Sequence, residues 1–229
     1  INNLNNNFYN NINNTNIVHL ATYYSKNSQD KNKIKSANID FGIKLLESID
    51  INCINSFIYT NTMFAFDKNN KNHFYTESKI EFSKILKDTL GPKKISEIYL
   101  DNTFHIMDKR NKVIPIIASA IKDKMKNPVN NEKEYINLSY GEDVVKAIIS
   151  EALNPNSSIT RITSKFDINI KSIFEYLDYY YKTNELDKSL LKVRDSDYLN
   201  NKNIPSLSTK YYETDIYKNL ISLLEHRKD

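Results

Sequence analysis

Glycine is nearly absent from this sequence, with three residues in 229. Glycine lets a backbone approach a phosphate closely, so its scarcity excludes a glycine-rich phosphate loop from the chain. Tryptophan is missing, and the single cysteine, Cys53, lies in the apolar segment Ile51-Asn-Cys-Ile54. One cysteine excludes a disulfide framework and makes a reducing cytoplasm the natural compartment. No run approaches the ~18–20 unbroken apolar residues of a membrane-spanning helix. No signal-peptide pattern opens the chain, so no membrane partner is expected. The four histidines, His19, His73, His105 and His226, have no metal-ligand spacing, and no metal site is expected. An excess of one charge is lacking too: the net charge is +4, the charges are interspersed, and only four of the 32 basic residues are arginine. A nucleic-acid surface usually shows a clustered basic face. Nucleic acid is therefore not an expected partner.

What is present suits a globular α/β protein. At 40% hydrophobic content the chain can bury a core as one domain, or one domain plus a small lobe. The richness in Asn, Lys, Ile and Tyr reads as the compositional bias of an AT-rich genome. Residues 1–16 are dominated by Asn and read as a loop or weak helix. Ile17-Val-His-Leu-Ala-Thr22 reads as a buried parallel strand. Ile34, Ala37, Phe41, Leu45 and Ile49 then recur at helical spacing. A strand over Ile54 to Thr60 and a helix over 75–90, stopped at Gly91-Pro92, come next. Further strands are expected at Ile95 to Leu100 and Ile159 to Thr163. Further helices are expected from Pro115 to Lys126, from Gly141, over 169–182, and from Asp215 to His226. The alternation predicts right-handed βαβ crossovers and a doubly wound parallel sheet, whose ligand lies beyond the carboxyl ends of the strands.

At those ends lie Thr22, Thr60 and Thr62, and Leu100 to Asn102. Thr62 is followed by a helix opening with Tyr75 and Lys79, one turn apart and so on one face. Free tyrosine titrates near ~10, and a neighbouring ammonium favours the phenolate. Tyr75 then serves as acid or base, with Thr62 bonding the same substrate oxygen. The spacing alone carries no information. Composition predicts about two Tyr-x-x-x-Lys pairs by chance, and there are two, the second being Tyr198/Lys202 in a polar loop. An ordinary amphipathic helix with exposed Tyr and Lys accounts for Tyr75 and Lys79 equally well. His19 reads as a hydrogen-bonded core residue, and Tyr179-Tyr-Tyr181 as packing at a helix end.

Taken together, these segments resemble the extended short-chain dehydrogenase/reductase family, the NAD-dependent epimerase/dehydratase group. Within it they look most like the nucleotide-sugar 4-reductases that make CDP-abequose or CDP-paratose. Ile17 to Thr22 matches the family's fourth strand, and Asn38, Gly42 and Leu45-Leu-Glu47 its following helix. Phe57-Ile-Tyr-Thr-Asn-Thr62 matches the fifth strand, and Tyr75 and Lys79 the Tyr-x-x-x-Lys. Leu100-Asp-Asn-Thr-Phe104 through Asp108 and Asn111 to Pro115 follow the segment after strand six. Tyr140-Gly-Glu-Asp-Val-Val145 resembles Tyr-Val-Asp-Asp-Val, and Ile162 to Leu177 the strand and helix after it. The resemblance covers nearly the whole chain in the family's order. It begins just before strand four, so the first βαβ units and their Gly-x-x-Gly-x-x-Gly loop are absent. Since the chain opens on Ile1 rather than Met, the expectation is that it starts partway into a larger fold. Two other departures stand out: Tyr-Gly-Pro-Gly becomes Phe104-His-Ile-Met107, and an expected arginine falls on Ile136.

The resemblance implies a Rossmann-like α/β fold with a small C-terminal substrate lobe. Residues 1–100 would be the remaining dinucleotide-binding domain, and 101–229 mostly substrate lobe interleaved with late Rossmann elements. It implies NAD or NADP as cofactor and a nucleotide-sugar substrate of surface-polysaccharide biosynthesis. Thr62, Tyr75 and Lys79 would be catalytic. Leu20, Ala21, Thr22, Asn38, Thr60, Tyr75 and Lys79 would meet the cofactor, and Thr62 and Asn102 the substrate. It also implies a homodimer through the helices at 31–50 and 75–90. The opposing reading is a degenerate, non-catalytic binding or regulatory relative without the cofactor loop.

Overall fold

A computed structural model describes residues 14–25, 27–66, 73–108, 112–129, 134–196, 208–211 and 215–226. The expected loop or weak helix over 1–16 lies mostly outside these residues, as does Tyr198/Lys202. The chain divides into two units: Ile1–Leu100 with Lys146–Arg161 and Pro205–Thr209, and Asp101–Val145 with Ile162–Ile204 and Lys210–Asp229.

The first unit is built on strands β1 (Thr15–His19), β2 (Ile54–Thr62) and β3 (Ile95–Leu100), with β1 parallel to β2 and β2 to β3. Continued by β6 (Ile159–Thr163) and β9 (Ser208–Tyr211), the sheet runs in the order β1-β2-β3-β6-β9. Eight of the nine β2 residues are buried, which explains why Phe57-Ile58-Tyr59 at its centre runs apolar without alternating. β1 ends at His19, three residues earlier than expected, and Leu20 to Ser25 form a loop.

The helix after β1 is not uniform. α1 (Lys31–Lys35) passes through a π-helical turn, Ser36–Asp40, into α2 (Phe41–Glu47). Within the turn the Phe41 N–H reaches back five residues to the Ser36 carbonyl. α2 carries Gly42, where a Cβ would stand 2.1 Å from the Phe82 ring. That residue belongs to α3 (Phe74–Leu90), so only glycine allows so close an approach. α3 is capped by His73, whose Nδ1 accepts from the Tyr75 N–H. It stops at Gly91, whose φ of +76° a side chain would resist, and Pro92 follows. Ile39, Leu46, Phe57, Tyr59, Phe82 and Leu86 form the core of this unit. Each large apolar side chain so buried contributes about 1.5–3 kcal/mol.

The second unit holds a four-stranded sheet of order β4-β5-β7-β8, from β4 (Asn102–Phe104), β5 (Tyr135–Tyr140), β7 (Phe166–Asn169) and β8 (Val193–Asp195). β4 and β5 are parallel; β7 is antiparallel to both β5 and β8. α4 (Val113–Lys122), α6 (Ile170–Thr183) and α7 (Ile216–His226) supply its core, including Ile114, Ile117, Ile173, Tyr176, Leu220 and Leu224. α6 is capped by Asn169, which accepts from the Ser172 N–H, and ends on Asn184 in the left-handed conformation. α5 (Gly141–Leu153) begins in this unit and continues into the first. The expected α/β fold with a doubly wound parallel sheet is thus present. The mixed sheet and its short strands are additions that the sequence reading missed.

Candidate active site

The candidate residues of the first unit gather where β1 and β2 end and α3 begins. Thr60, Asn61 and Thr62 close β2 and are all buried. The Thr62 N–H donates to Asn61 Oδ1 at 2.8 Å, and Thr62 Oγ1 accepts from the Phe64 N–H at 3.3 Å. That contact uses a lone pair and leaves the hydroxyl hydrogen to donate.

Lys79 is only 2% exposed, so it is not the solvated lysine of an ordinary amphipathic helix. Its Nζ sits 4.2 Å from the centre of the Tyr59 ring. Tyr59 also donates its hydroxyl to the Lys79 carbonyl at 3.3 Å. Among the described residues no carboxylate pairs with this ammonium. Burial pulls Lys79 down to about 7. The electron-rich face of Tyr59 favours the charged form and opposes that fall. The amine therefore changes charge close to neutrality. Tyr75, one turn earlier, is half-buried, with the Tyr24 ring edge-on at 4.9 Å.

Asn38 ties the segment after β1 to the start of α3, from within the π-helical turn. Its Oδ1 accepts from the Tyr23 N–H at 2.7 Å and from Thr22 Oγ1 at 3.2 Å. Its Nδ2 donates to the Tyr23 carbonyl at 3.2 Å and to Ser78 Oγ at 2.9 Å. Ser78 Oγ in turn donates to the Tyr75 carbonyl at 2.6 Å. All four capacities of the amide are used within the protein, and Asn38 is fully buried. The bonding favours a positioning role over the direct cofactor contact expected from the sequence. Leu20 is half exposed, and Ala21 and Thr22 follow it in the loop.

His19 corrects one expectation. It is buried, at 3% exposure, but among the described residues neither ring nitrogen has a hydrogen-bond partner. Instead its ring lies 5.2–5.8 Å from those of Phe41, Phe57, Tyr59 and Phe82. Burial first, then the charge of Lys79, pulls its pKa down to about 4, which keeps it neutral. Buried Glu97 on β3, in register with Tyr59, meets Lys87 Nζ at 2.7 Å and accepts from Ser83 and Tyr99.

In the second unit, Asn102 begins β4 and bonds Asp101 Oδ1 through both its N–H, at 3.0 Å, and its amide, at 3.1 Å. Tyr140 and Asp143 of the motif at the start of α5 line a small pocket with Ser139, Thr163 and Ser164. Phe104 and Ile106, which replace residues of the Tyr-Gly-Pro-Gly pattern, pack into the apolar core, and Ile136 packs against it. Sequence reasoning missed Ser78 and Tyr59 as parts of the site. Tyr59, three residues before Thr62 on an apolar strand, could have been found as the aromatic nearest the strand end; nothing in the sequence marks Ser78.

The chain matches no known protein family model. A curated relative, CDP-abequose synthase of Salmonella muenchen, is 25% identical over 171 residues, covering 70% of this chain and 58% of the relative. The chain thus spans a little over half the length of that relative. Among solved structures, UDP-N-acetylglucosamine 4-epimerase from Methanobrevibacter ruminantium M1, in complex with UDP-N-acetylmuramic acid, superposes with a TM-score of 0.70 at 17% identity. The match covers 93% of this chain and 76% of that one. RMD from Pseudomonas aeruginosa complexed with NADPH gives 0.69 at 16% identity, covering 92% and 81%. The chain thus has the Rossmann-like fold of these solved structures and a sequence similarity to CDP-abequose synthase.

Proposed function

We propose that this chain forms the proton-transfer half of an NAD(P)-dependent nucleotide-sugar oxidoreductase, a 4-reductase, epimerase or dehydratase of surface-polysaccharide sugar biosynthesis. The observation that carries the reading is the buried Lys79 ammonium, one turn from Tyr75 and with no carboxylate partner among the described residues. A cation held there favours the phenolate of Tyr75 and readies it to take or give a proton. Thr62 orients the reacting sugar oxygen with its hydroxyl. Asn38 and Ser78 hold the first turn of α3 in register with the loop after β1.

The residues fit one half of a dinucleotide. Lys79 has ammonium hydrogens for ribose hydroxyls, Thr60 lies near the end of β2, and Leu20, Ala21 and Thr22 lie in the loop that follows β1. The diphosphate half has no cradle here: Gly42 lies inside α2, Gly91 caps α3 and Gly141 opens α5. When bound, NAD or NADP supplies the hydride acceptor or donor. Asn102 is assigned to the substrate. A homodimer through α1–α2 and α3 is supported by Ile80, exposed on α3 opposite the buried Phe82.

A second reading, a non-catalytic relative that kept the sheet, draws on the same glycine positions. Titration with NADPH and NADH, followed by nicotinamide fluorescence, tests the first reading. Saturable binding that Lys79→Met weakens supports the oxidoreductase; no binding up to millimolar cofactor means that this polypeptide by itself is not a working oxidoreductase.

A further inference from the structure

Lys79 is touched at both ends by one residue. The Tyr59 ring faces its ammonium at 4.2 Å, and the Tyr59 hydroxyl bonds its carbonyl at 3.3 Å. Tyr59 itself is fully buried and has little freedom to move. Phe82 meets its ring edge-on at 5.3 Å, and His19 lies at 5.8 Å. Because the strand fixes Tyr59 and the helix fixes Lys79, the geometry between them is set by the packing of α3 on the sheet.

We infer that the Tyr59 ring is the positioning group of the site, holding the Lys79 side chain and its charge in place with an aromatic face where a carboxylate would ordinarily stand. This deepens the proton-transfer reading and rests on it. A carboxylate at that distance would raise the lysine midpoint and neutralise its effect on Tyr75. A ring face attracts the cation but brings no countercharge, so the ammonium keeps its full field for the phenol. The other groups around Tyr59 leave that arrangement intact. His19 on β1 is neutral, Glu97 on β3 is matched by Lys87, and Tyr99 on β3 is held protonated by burial and by Glu97. Tyr75 is the remaining titratable neighbour, on α3 itself.

The test varies the electron density of the ring at constant shape. Residue 59 is replaced by phenylalanine and then by phenylalanines of increasing fluorination. The Lys79 midpoint is read by NMR from carbon-labelled lysine, with Lys79→Met assigning the signal. The midpoint is expected to fall stepwise with fluorination, by about half to one pH unit across the series. Circular dichroism and unfolding midpoints should stay constant, which a purely structural role for Tyr59 would also give with a flat titration series. A midpoint that stays flat or rises with fluorination overturns the inference. Failure of the underlying reading looks different: Tyr75→Phe with full turnover in a complete enzyme would remove the proton-transfer role and leave the fluorination series unchanged.

Discussion

Asn137 of the second unit and Lys79 and His19 of the first are buried in opposite ways. In the second unit, Asn137 on β5 is 1% exposed and saturated. Its amide donates to the Ser164 carbonyl at 2.9 Å and to Asp167 Oδ1 at 3.0 Å. Its oxygen accepts from Thr163 Oγ1 at 2.7 Å and from the Ser164 N–H at 2.9 Å. In the first unit, Lys79 and His19 are as deeply buried, yet among the described residues one has an aromatic ring in place of a carboxylate and the other has no hydrogen-bond partner. Buried polar groups are normally satisfied, and leaving them otherwise destabilises the fold. Asn137 is therefore architecture. Lys79 is a liability that the fold retains, and this is why the chemistry is sought in the first unit.

The comparison breaks most directly at Tyr75. In a complete enzyme Tyr75→Phe is expected to lower turnover by about 10²–10⁴-fold while cofactor affinity holds; wild-type rates would move the chemistry elsewhere. Next in size is the architectural residue. Asn137→Ala removes one hydrogen-bond partner from each of Thr163, Ser164 and Asp167 and should cost about 3 kcal/mol in urea unfolding. A loss under about 1 kcal/mol would mean that water replaces the amide.

Lys79→Met should act in the other direction. Removing a desolvated cation while keeping its volume is expected to stabilise by about 2 kcal/mol at pH 6. Between about 7, its midpoint when folded, and the ordinary 10.5, the unfolded chain holds more protons at Lys79, so stability rises with pH in that window. The advantage of Lys79→Met should therefore shrink toward pH 10. His19 adds a window of the same sign between about 4 and 6.5, through which stability falls as the solution is acidified. Unfolding midpoints for wild type, Lys79→Met and His19→Leu across pH 4–10 measure both; pH-independent differences would contradict both assignments. The smallest effect belongs to packing. Gly42→Ala should cost about 1–2 kcal/mol through its clash with Phe82, and Phe82→Leu in the same chain should recover part of it.

Much of the first unit was legible because its elements are long and its apolar patterns clean. The buried run Phe57-Ile-Tyr59 and the stop at Gly91-Pro92 located β2 and α3 to within a residue or two. The burial of Lys79 was not legible. The inward face of α3 begins with Thr76, Ser78 and Lys79, polar residues that a hydrophobic pattern assigns to solvent. Membership of the trio came from the order of motifs along the chain, and its wiring through Asn38, Ser78 and Tyr59 came only from three dimensions. β4, β7 and β8 have three or four residues each, too few for any period to register. β5 escaped for another reason: Asn137 and Ser139 are buried polar residues on a strand whose apolar signal is thereby diluted.

The π-helical turn at Ser36–Asp40 has a consequence for how this segment tolerates change. A π turn carries one residue more than the α-helical turn it replaces. Deleting a single residue within it would restore a regular helix and barely alter the path of the chain. Because the turn absorbs the extra residue, α1 and α2 would keep their phase, while Asn38, which lies within the turn, would lose the local geometry that meets the loop holding Thr22 and Tyr23. The shape of the protein would survive such an event while its wiring did not. The turn is therefore a local bulge on which the bonds of Asn38 to Tyr23 and Ser78 depend, set within a helix whose flanks would read the same without it.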